Sequence, residues 1–372
     1  MARAEDYGFM AEALRLAERG LYTTTPNPRV GCLIVKGEEI VGRGFHARAG
    51  EPHAEALALR EAGERARGAT AYVSLEPCSH HGRTPPCADA LVAAAVGRVV
   101  VAMEDPNPRV AGRGMERLRQ AGIAVECGVL EEEARSLNIG FVSRMTRGRP
   151  WVRMKIAASL DGRTALPDGR SQWITGEAAR RDAHHWRARA CAILTGIGTV
   201  REDDPRLTVR HVETPRQPLR VVVDSRLETP ESARVLAGGP VLIACARDDR
   251  EAADRLRGRG SEVLCLPNPS GKVDLPALFR ILAERGINEV LVEAGTRLNG
   301  SLLDEALVDE LLIYLAPCLL GDAARGVASL PALEDLSARL RLRLRDLRLV
   351  GEDLRLLAEV APGEVGPTSA RE

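Results

Sequence analysis

The chain reads as an α/β protein in two successive units, and three observations say so. Short β-rich runs alternate with Ala/Leu/Glu-rich segments of helical length. Its 372 residues exceed the usual single domain. A polar, basic stretch over 143–150 that ends in proline interrupts the alternation, which then starts afresh. The pattern predicts a first unit over 1–146, a linker, a second unit over 150–361 and a flexible tail over 362–372.

In the first unit, 29–35 and 39–45 are predicted strands joined by a tight turn at Lys36-Gly37-Glu38. Residues 53–65 form a predicted helix, 70–75 a strand and 87–95 a second helix. Strands over 98–103 and 123–127 flank a helix over 112–120. In the second unit the predicted strands are 151–156, 192–194, 219–223, 241–246, 290–293 and 311–316, with a helix from Leu298. Strands separated by helices of this length imply a sheet with helices packed on its faces.

Composition narrows the function. The 52 basic residues balance 52 acidic ones, which argues against an extended nucleic-acid footprint. All but Lys36, Lys155 and Lys272 of the basic residues are arginines, which supply rigid forks for phosphate. No stretch approaches the roughly 20 apolar residues that cross a bilayer, and no apolar signal segment follows Met1. Eight cysteines spread over this length make no disulfide framework, so a cytoplasmic protein without membrane association is expected. Cys32, Cys127, Cys191, Cys245, Cys265 and Cys318 sit mostly in apolar runs and read as buried small hydrophobes.

Cys78 and Cys87 are different. His53-Ala54-Glu55 is followed by Pro77-Cys78 and then by Cys87. One imidazole and two thiolates fill three corners of a zinc tetrahedron and leave the fourth for water, as catalytic zinc requires. His53 would open one helix and Cys87 another, where N-terminal amides favour a thiolate. Glu55, two residues from the ligand, is placed to move protons without binding metal. A His-x-Glu with a downstream Pro-Cys pair suits hydrolytic removal of an exocyclic amine from a nucleobase-like ring. Two plainer readings stand beside it. In one, His53 caps a helix while both cysteines fill the core. In the other, the zinc is structural and takes His80 or His81 as its fourth ligand; such a site has no use for Glu55. His80, His81 and Arg83 are also candidates for shaping the pocket, and Asn27 for hydrogen-bonding a pyrimidine or its sugar.

The eight residues between the cysteines, in Cys78-Ser79-His80-His81-Gly82-Arg83-Thr84-Pro85-Pro86-Cys87, depart from the two-residue spacing usual in the cytidine-deaminase superfamily. They resemble the signature of the riboflavin-biosynthesis deaminases, as does Thr24-Thr25-Pro26-Asn27-Pro28-Arg29-Val30-Gly31-Cys32. The second half resembles the reductase fused to them, in Ser159-Leu160-Asp161-Gly162-Arg163-Thr164, Ser171-Gln172-Trp173-Ile174-Thr175, Gly196-Ile197-Gly198-Thr199-Val200, Asp203-Asp204-Pro205-Arg206-Leu207-Thr208 and Val292-Glu293-Ala294-Gly295. This resemblance implies a cytidine-deaminase-like three-layer unit and a dihydrofolate-reductase-like unit. The implied activities are deamination of 2,5-diamino-6-ribosylamino-4(3H)-pyrimidinone 5′-phosphate and NADPH reduction of the product's ribosyl group to ribityl. It implies Zn2+ and NADPH as cofactors and a homo-oligomer. By the same resemblance Ala157, Trp173, Thr199, Asp203 and Ser225 contact NADP, with Gly295, Thr296, Arg297, Leu298, Asn299, Gly300 and Ser301 as its phosphate cradle. Ser171, Arg187, Leu207, Arg210 and Glu293 are the implied contacts to the reductase substrate.

On the residues alone the second half says less. A strand running into Gly295 offers helix N-terminal amides to a pyrophosphate, or is an ordinary turn. No Gly-x-Gly-x-x-Gly fingerprint is present there, which argues against a Rossmann site. Arg187 and Arg210 are candidate phosphate forks or solvated surface residues. Trp173 either flanks a flat ring or belongs to a core. Asp203 and Glu293 are the candidate proton donors. An RNA or nucleoside deaminase with an unrelated second domain, or a zinc- and nucleotide-sensing regulator, are the competing functions.

Overall fold

A computed structural model describes residues 3–79, 86–108 and 110–361. The chain folds as two units. One runs through Pro150 and includes Ala283–Asn288; the other comprises Trp151–Leu282 and the chain from Glu289 onward.

The first unit contains α1 (Ala4–Glu18), β1 (Gly31–Lys36), β2 (Glu39–Phe45), α2 (Ala54–Ala62), β3 (Thr70–Val73), α3 (Cys87–Ala93), β4 (Arg98–Val101), α4 (Arg113–Gln120), β5 (Ala124–Cys127), α5 (Glu131–Leu137) and α6 (Ile139–Arg147). The sheet order is β2-β1-β3-β4-β5, with β1 antiparallel to both neighbours and β3, β4 and β5 parallel. Successive residues of β1 are all buried through Val35, because this strand is covered on both faces. Cys32 and Ile34 pack with α2, α3 and α4, whereas Leu33 and Val35 pack with α1 and the α5–α6 pair. The result is the three-layer arrangement expected.

The helices sit unusually close to this sheet. A Cβ built on Gly44 of β2 would lie 2.0 Å from the carbonyl oxygen of Ala54, and one on Gly42 would lie 2.1 Å from that of Ala58. Gly31 meets Ala13 of α1 in the same way, at 1.9 Å. Glycine is therefore a packing requirement at these positions, and it fixes how α2 lies on the sheet.

The basic stretch expected to be a linker is helical as far as Arg147. Val142 joins the core beside α1, Ser143 is buried, and Arg144 and Arg147 occupy the last turn, where the helix dipole favours cations. The helix ends at Gly148, whose φ of 65° is left-handed.

The second unit contains β6 (Trp151–Ser159), β7 (Arg163–Ala165), α7 (Glu177–Arg189), β8 (Ala192–Gly196), α8 (Ile197–Asp203), β9 (Leu219–Val223), β10 (Val241–Cys245), α9 (Arg250–Gly258), β11 (Ser261–Cys265), α10 (Leu275–Glu284), β12 (Glu289–Val292), α11 (Thr296–Asp304), β13 (Glu310–Ala316), β14 (Arg325–Gly326), β15 (Leu342–Val350) and β16 (Asp353–Val360). A nine-stranded sheet runs β11-β10-β9-β8-β12-β6-β13-β16-β15. Its strands are parallel up to β13, and the β15–β16 hairpin is added antiparallel. Helix α11 begins two residues before the Leu298 start expected from sequence, since Gly295 adopts the extended backbone of an N-cap.

Three of the six cysteines expected in cores are buried: Cys32, Cys191 and Cys245. Cys127 and Cys265 end the edge strands β5 and β11, Cys318 follows β13, and all three are exposed. An apolar run does not tell an edge strand from a central one. No helix among the described residues is long and apolar enough to cross a membrane.

Gly44→Ala should overpack the α2 contact and destabilise the first unit by about 1–3 kcal/mol, seen as an earlier denaturant midpoint for that unit. An unchanged midpoint would mean that α2 yields freely.

Candidate active sites

The first site is built where β3 ends and two helices begin. His53 is the N-cap of α2, Cys78 follows β3, and Cys87 opens α3. Their donor atoms all lie within 4.8 Å of one another. His53 Nδ1 is 3.3 Å from Cys87 Sγ and 3.7 Å from Cys78 Sγ. Tetrahedral zinc with ordinary Zn–N and Zn–S bonds sets such nitrogen–sulfur edges at about 3.5 Å. The donor set fits zinc in chemistry and in spacing.

Electrostatics agree. Cys78 is pushed down to about 4 by hydrogen bonds from Cys87 and His53. Cys87, sharing a proton with that thiolate and buried, is pushed up. A cation held between them would replace the shared proton. Glu55, in the first turn of α2, is 3% exposed, and burial pushes its carboxyl up to about 7. It reaches the Cys87 side chain and stays within the field of His53 and Cys78. A carboxyl that both accepts and returns a proton near neutrality needs such a setting.

Sequence reading missed the groups that hold this site together. Glu76 accepts hydrogen bonds from the amides of Asp105, Gly112, Gly114 and Met115, at 3.1, 2.9, 2.8 and 3.2 Å. It thus ties the loop after β4 to the Pro77-Cys78 segment. Gly114 packs directly on Pro77, where a Cβ would meet the Pro77 carbonyl oxygen at 1.9 Å. Glu76 directly precedes the Pro-Cys motif, but nothing local marked it as a buried acceptor. His46 stands edge-on to His53, with ring centroids 5.4 Å apart, and its Nε2 pairs with the Asn27 side-chain amide at 3.0 Å. His80, His81 and Arg83 lie outside the described residues.

The second site is a cavity of about 430 Å³ at the carboxyl ends of β6, β8 and β12. It brings together Ala157, Ser171, Trp173, Arg187, Thr199, Asp203, Leu207, Arg210, Glu293, Gly295, Thr296 and Asn299. Ser225, Arg297, Leu298, Gly300 and Ser301 do not line it. The Ser225 hydroxyl instead accepts the Val273 amide at 3.3 Å. A Cβ on Gly300 would meet the Ser329 carbonyl oxygen at 2.0 Å, so this glycine serves packing.

Glu293 and Arg187 form a bidentate pair at 2.5 and 2.8 Å, and Arg187 also donates to the Thr208 carbonyl at 3.2 Å. Arg187 is therefore held at the cavity wall by Glu293 and the Thr208 carbonyl. Burial raises the Glu293 carboxyl, but Arg187 and then Lys155 outweigh it and hold it at about 2. Glu293 is an anion throughout the physiological range, which removes it as the proton donor. Asp203 remains a candidate: burial pushes its pKa up while the Ser171 hydroxyl donates to it at 2.9 Å.

Lys155, which sequence reading left without a role, lines the cavity 3.8 Å from Glu293, and burial lowers its pKa. Its signal was its rarity in an arginine-rich chain. Trp173 belongs to no core: it is 69% exposed at the cavity mouth, with the Arg180 guanidinium 4.7 Å from its ring centroid.

A three-layer α/β/α unit carrying an imidazole, two thiols and a buried carboxyl defines a zinc-dependent deaminase, here followed by a second α/β unit with a ligand-sized cavity. Residues 3–103 match the cytidine and deoxycytidylate deaminase zinc-binding region, and residues 150–356 match the RibD C-terminal domain. The riboflavin biosynthesis protein RibD of Escherichia coli K12 is 52% identical over 364 residues, covering 94% of this chain and 98% of that protein. The RibD of Aquifex aeolicus is 43% identical, covering 95% and 98%. Among solved structures, Acinetobacter baumannii RibD superposes with a TM-score of 0.89 at 46% identity, covering 96% of this chain and 99% of that one. The Thermotoga maritima diaminohydroxyphosphoribosylaminopyrimidine deaminase/5-amino-6-(5-phosphoribosylamino)uracil reductase gives a TM-score of 0.86 at 34% identity, covering 95% and 98%. The chain belongs to the RibD family of riboflavin biosynthesis proteins.

Two outcomes test these sites. Glu55→Gln should lower deamination by about 100- to 10,000-fold while metal analysis still finds one zinc; loss of zinc in this variant would make Glu55 a structural residue. Glu293→Gln should leave Arg187 and Lys155 uncompensated and cost the second unit about 3–5 kcal/mol. Because its pKa of about 2 lies below the ordinary 4.5, Glu293 adds stability that is complete above 4.5 and lost as pH falls toward 2. The acid-side slope of Tm should shrink accordingly in the variant.

Proposed function

We propose that this chain deaminates 2,5-diamino-6-ribosylamino-4(3H)-pyrimidinone 5′-phosphate in its first unit. The second unit then reduces the ribosyl group of the product, 5-amino-6-(5-phosphoribosylamino)uracil, to ribityl. The observation that carries the reading is the His53, Cys78 and Cys87 donor set with Glu55 beside it.

Zinc supplies Lewis acidity that brings a water toward ionisation at neutral pH. His53, Cys78 and Cys87 would hold it. Glu55 takes one proton from the attacking water and delivers it to the ring nitrogen, then carries the remaining hydroxyl proton to the amino group, which leaves as ammonia as the carbonyl forms. Asn27, whose side-chain amide pairs with His46, is the residue assigned to the pyrimidine or its sugar.

NADPH supplies a hydride to C1′ of the sugar. The residues assigned to it are Ala157, Trp173, Thr199, Asp203 and Ser225, with Gly295, Thr296, Arg297, Leu298, Asn299, Gly300 and Ser301 as the cradle. The N-terminus of α11 offers its amides to the pyrophosphate. Ser171, Arg187, Leu207, Arg210 and Glu293 meet the substrate, Glu293 by accepting from sugar hydroxyls. The opening ring needs a proton, and Lys155 and Asp203 are the groups placed to give it. Burial moves the pKa of both toward neutrality.

We assign the enzyme to the cytoplasm and to a homo-oligomer. Leu342, Leu344, Leu347 and Leu349 of the edge strand β15 are each about half exposed or more, and they pair with Val360, Ala358, Leu356 and Leu354 of β16. An apolar surface of this kind is covered by a partner in stable proteins, and a second copy offers the matching surface. Leu347→Glu should convert a dimer to a monomer in light scattering.

The decisive assay supplies the diaminopyrimidinone phosphate to zinc-loaded protein with and without NADPH. Ammonia should appear without NADPH, and NADPH should be consumed only after deamination. A chelator should stop the first signal and spare reduction of added uracil intermediate. Ammonia release with no NADPH oxidation would remove the reductase half of the reading.

A further inference from the structure

The cavity of the second unit carries more positive charge than the groups described so far require. Its acidic residues are all engaged: Glu293 by Arg187, Asp203 by Ser171, Glu202 by Arg325, and Asp204 by the Arg234 backbone amide at 2.7 Å. Three arginines lining the same cavity, Arg206, Arg210 and Arg234, have no carboxylate partner among the described residues.

They come from two separate segments, and each segment is anchored. Asp204 and Leu207 both have left-handed backbone, with φ of 41° and 49°. Such strain in non-glycine residues persists where the surroundings enforce it, as at ligand clamps. The same bend lets Asp204 capture the Arg234 amide and bring that residue's segment to the cavity. The Arg210 amide donates to Nδ1 of His184 at 3.2 Å, and burial holds His184 neutral, at about 3. Desolvation, and then the charges of Arg187, Arg206 and Arg234, weaken the hold of Arg210 on its proton. Gathered cations without counter-charge repel one another, and an anion among them relieves that repulsion.

We propose that Arg206 and Arg234 join Arg210 in a clamp for a phosphate monoester, the 5′-phosphate of the pyrimidine substrate. This rests on the reductase reading above. A monoester carries a charge of about −1.5 to −2 at pH 7 and three acceptor oxygens, which suits three guanidinium forks. The cofactor's pyrophosphate has the amides of α11 and needs no arginine there. Arg206 flanks Leu207, and Arg210 lies within the field of Glu293, so the clamp adjoins the residues assigned to the sugar. The cofactor's 2′-phosphate is the other monoester that the same chemistry would accept.

The test uses full-length, zinc-loaded protein with Arg234→Ala, Arg206→Ala and Arg234→Lys. Reductase KM and kcat are measured at saturating NADPH for the phosphorylated uracil substrate and for its dephosphorylated riboside. The NADPH Kd is measured separately by fluorescence. Each alanine variant should raise KM for the phosphorylated substrate by about ten- to a hundred-fold, as loss of a charge-assisted hydrogen bond does. The dephosphorylated riboside and the NADPH Kd should not respond, and Arg234→Lys should recover part of the loss. A raised NADPH Kd with an unchanged substrate KM would overturn the proposal in favour of the cofactor's 2′-phosphate. No change in either constant would overturn it too, leaving both arginines as solvated surface. A wild-type protein that never oxidises NADPH with the uracil substrate would instead defeat the reductase reading itself.

Discussion

A parallel strand must hand its chain to a helix at its carboxyl end, and both sites are built at that handover. Strand β3 delivers Cys78, while α2 and α3 begin with His53 and Cys87. In the second unit β8 runs straight into α8, and β12 reaches α11 through Gly295. Helix starts leave amide donors unsatisfied and carry partial positive charge, so thiolates and phosphates are both welcome there. The connection rule of parallel sheets thus decides where chemistry can occur before any catalytic residue is chosen.

Within that frame, burial acts on two carboxyls in opposite ways. Glu55 is desolvated with only weak compensation from His53, so it is pushed up to about 7 and can shuttle protons. Glu293 is also largely removed from solvent, yet Arg187 and Lys155 hold it at about 2, so it serves as a fixed anion. The same contrast separates the arginines: Arg187 is paired with Glu293, whereas Arg206, Arg210 and Arg234 have no carboxylate partner among the described residues. Which residues do chemistry and which do positioning follows from their partners, since residue type is the same in each pair.

Close backbone packing sets the precision of the first site. Glycines at 42 and 44 let α2 lie directly on β2, and Gly114 lets α4 lie on Pro77. Glu76 then satisfies four amides, those of Asp105 and Gly112 in the loop after β4 and of Gly114 and Met115 in the first turn of α4, which buried backbone needs. These contacts turn three flexible donors into a set spaced for one ion.

The sequence by itself marked the α/β alternation and the grouping of His53, Cys78 and Cys87 with Glu55, because each rests on local periodicity or on short spacings within one or two elements. It also marked the residues around Gly295 as a glycine turn after a strand. It misjudged what depends on distant neighbours. The basic run before Pro150 is a helix end because Val142 finds a core. Cys127 and Cys265 are exposed because their strands lie at sheet edges. Two residues it left open are settled in position only: Trp173 is exposed at a cavity mouth, and Arg187 is paired with a glutamate 106 residues away in the chain. Only the tertiary structure decided the strand order, the placement of Glu76 and Lys155, and the gathering of arginines without carboxylate partners among the described residues. The physical reason is that charge pairing, desolvation and edge position are set by the environment, and the environment is assembled from segments far apart in sequence.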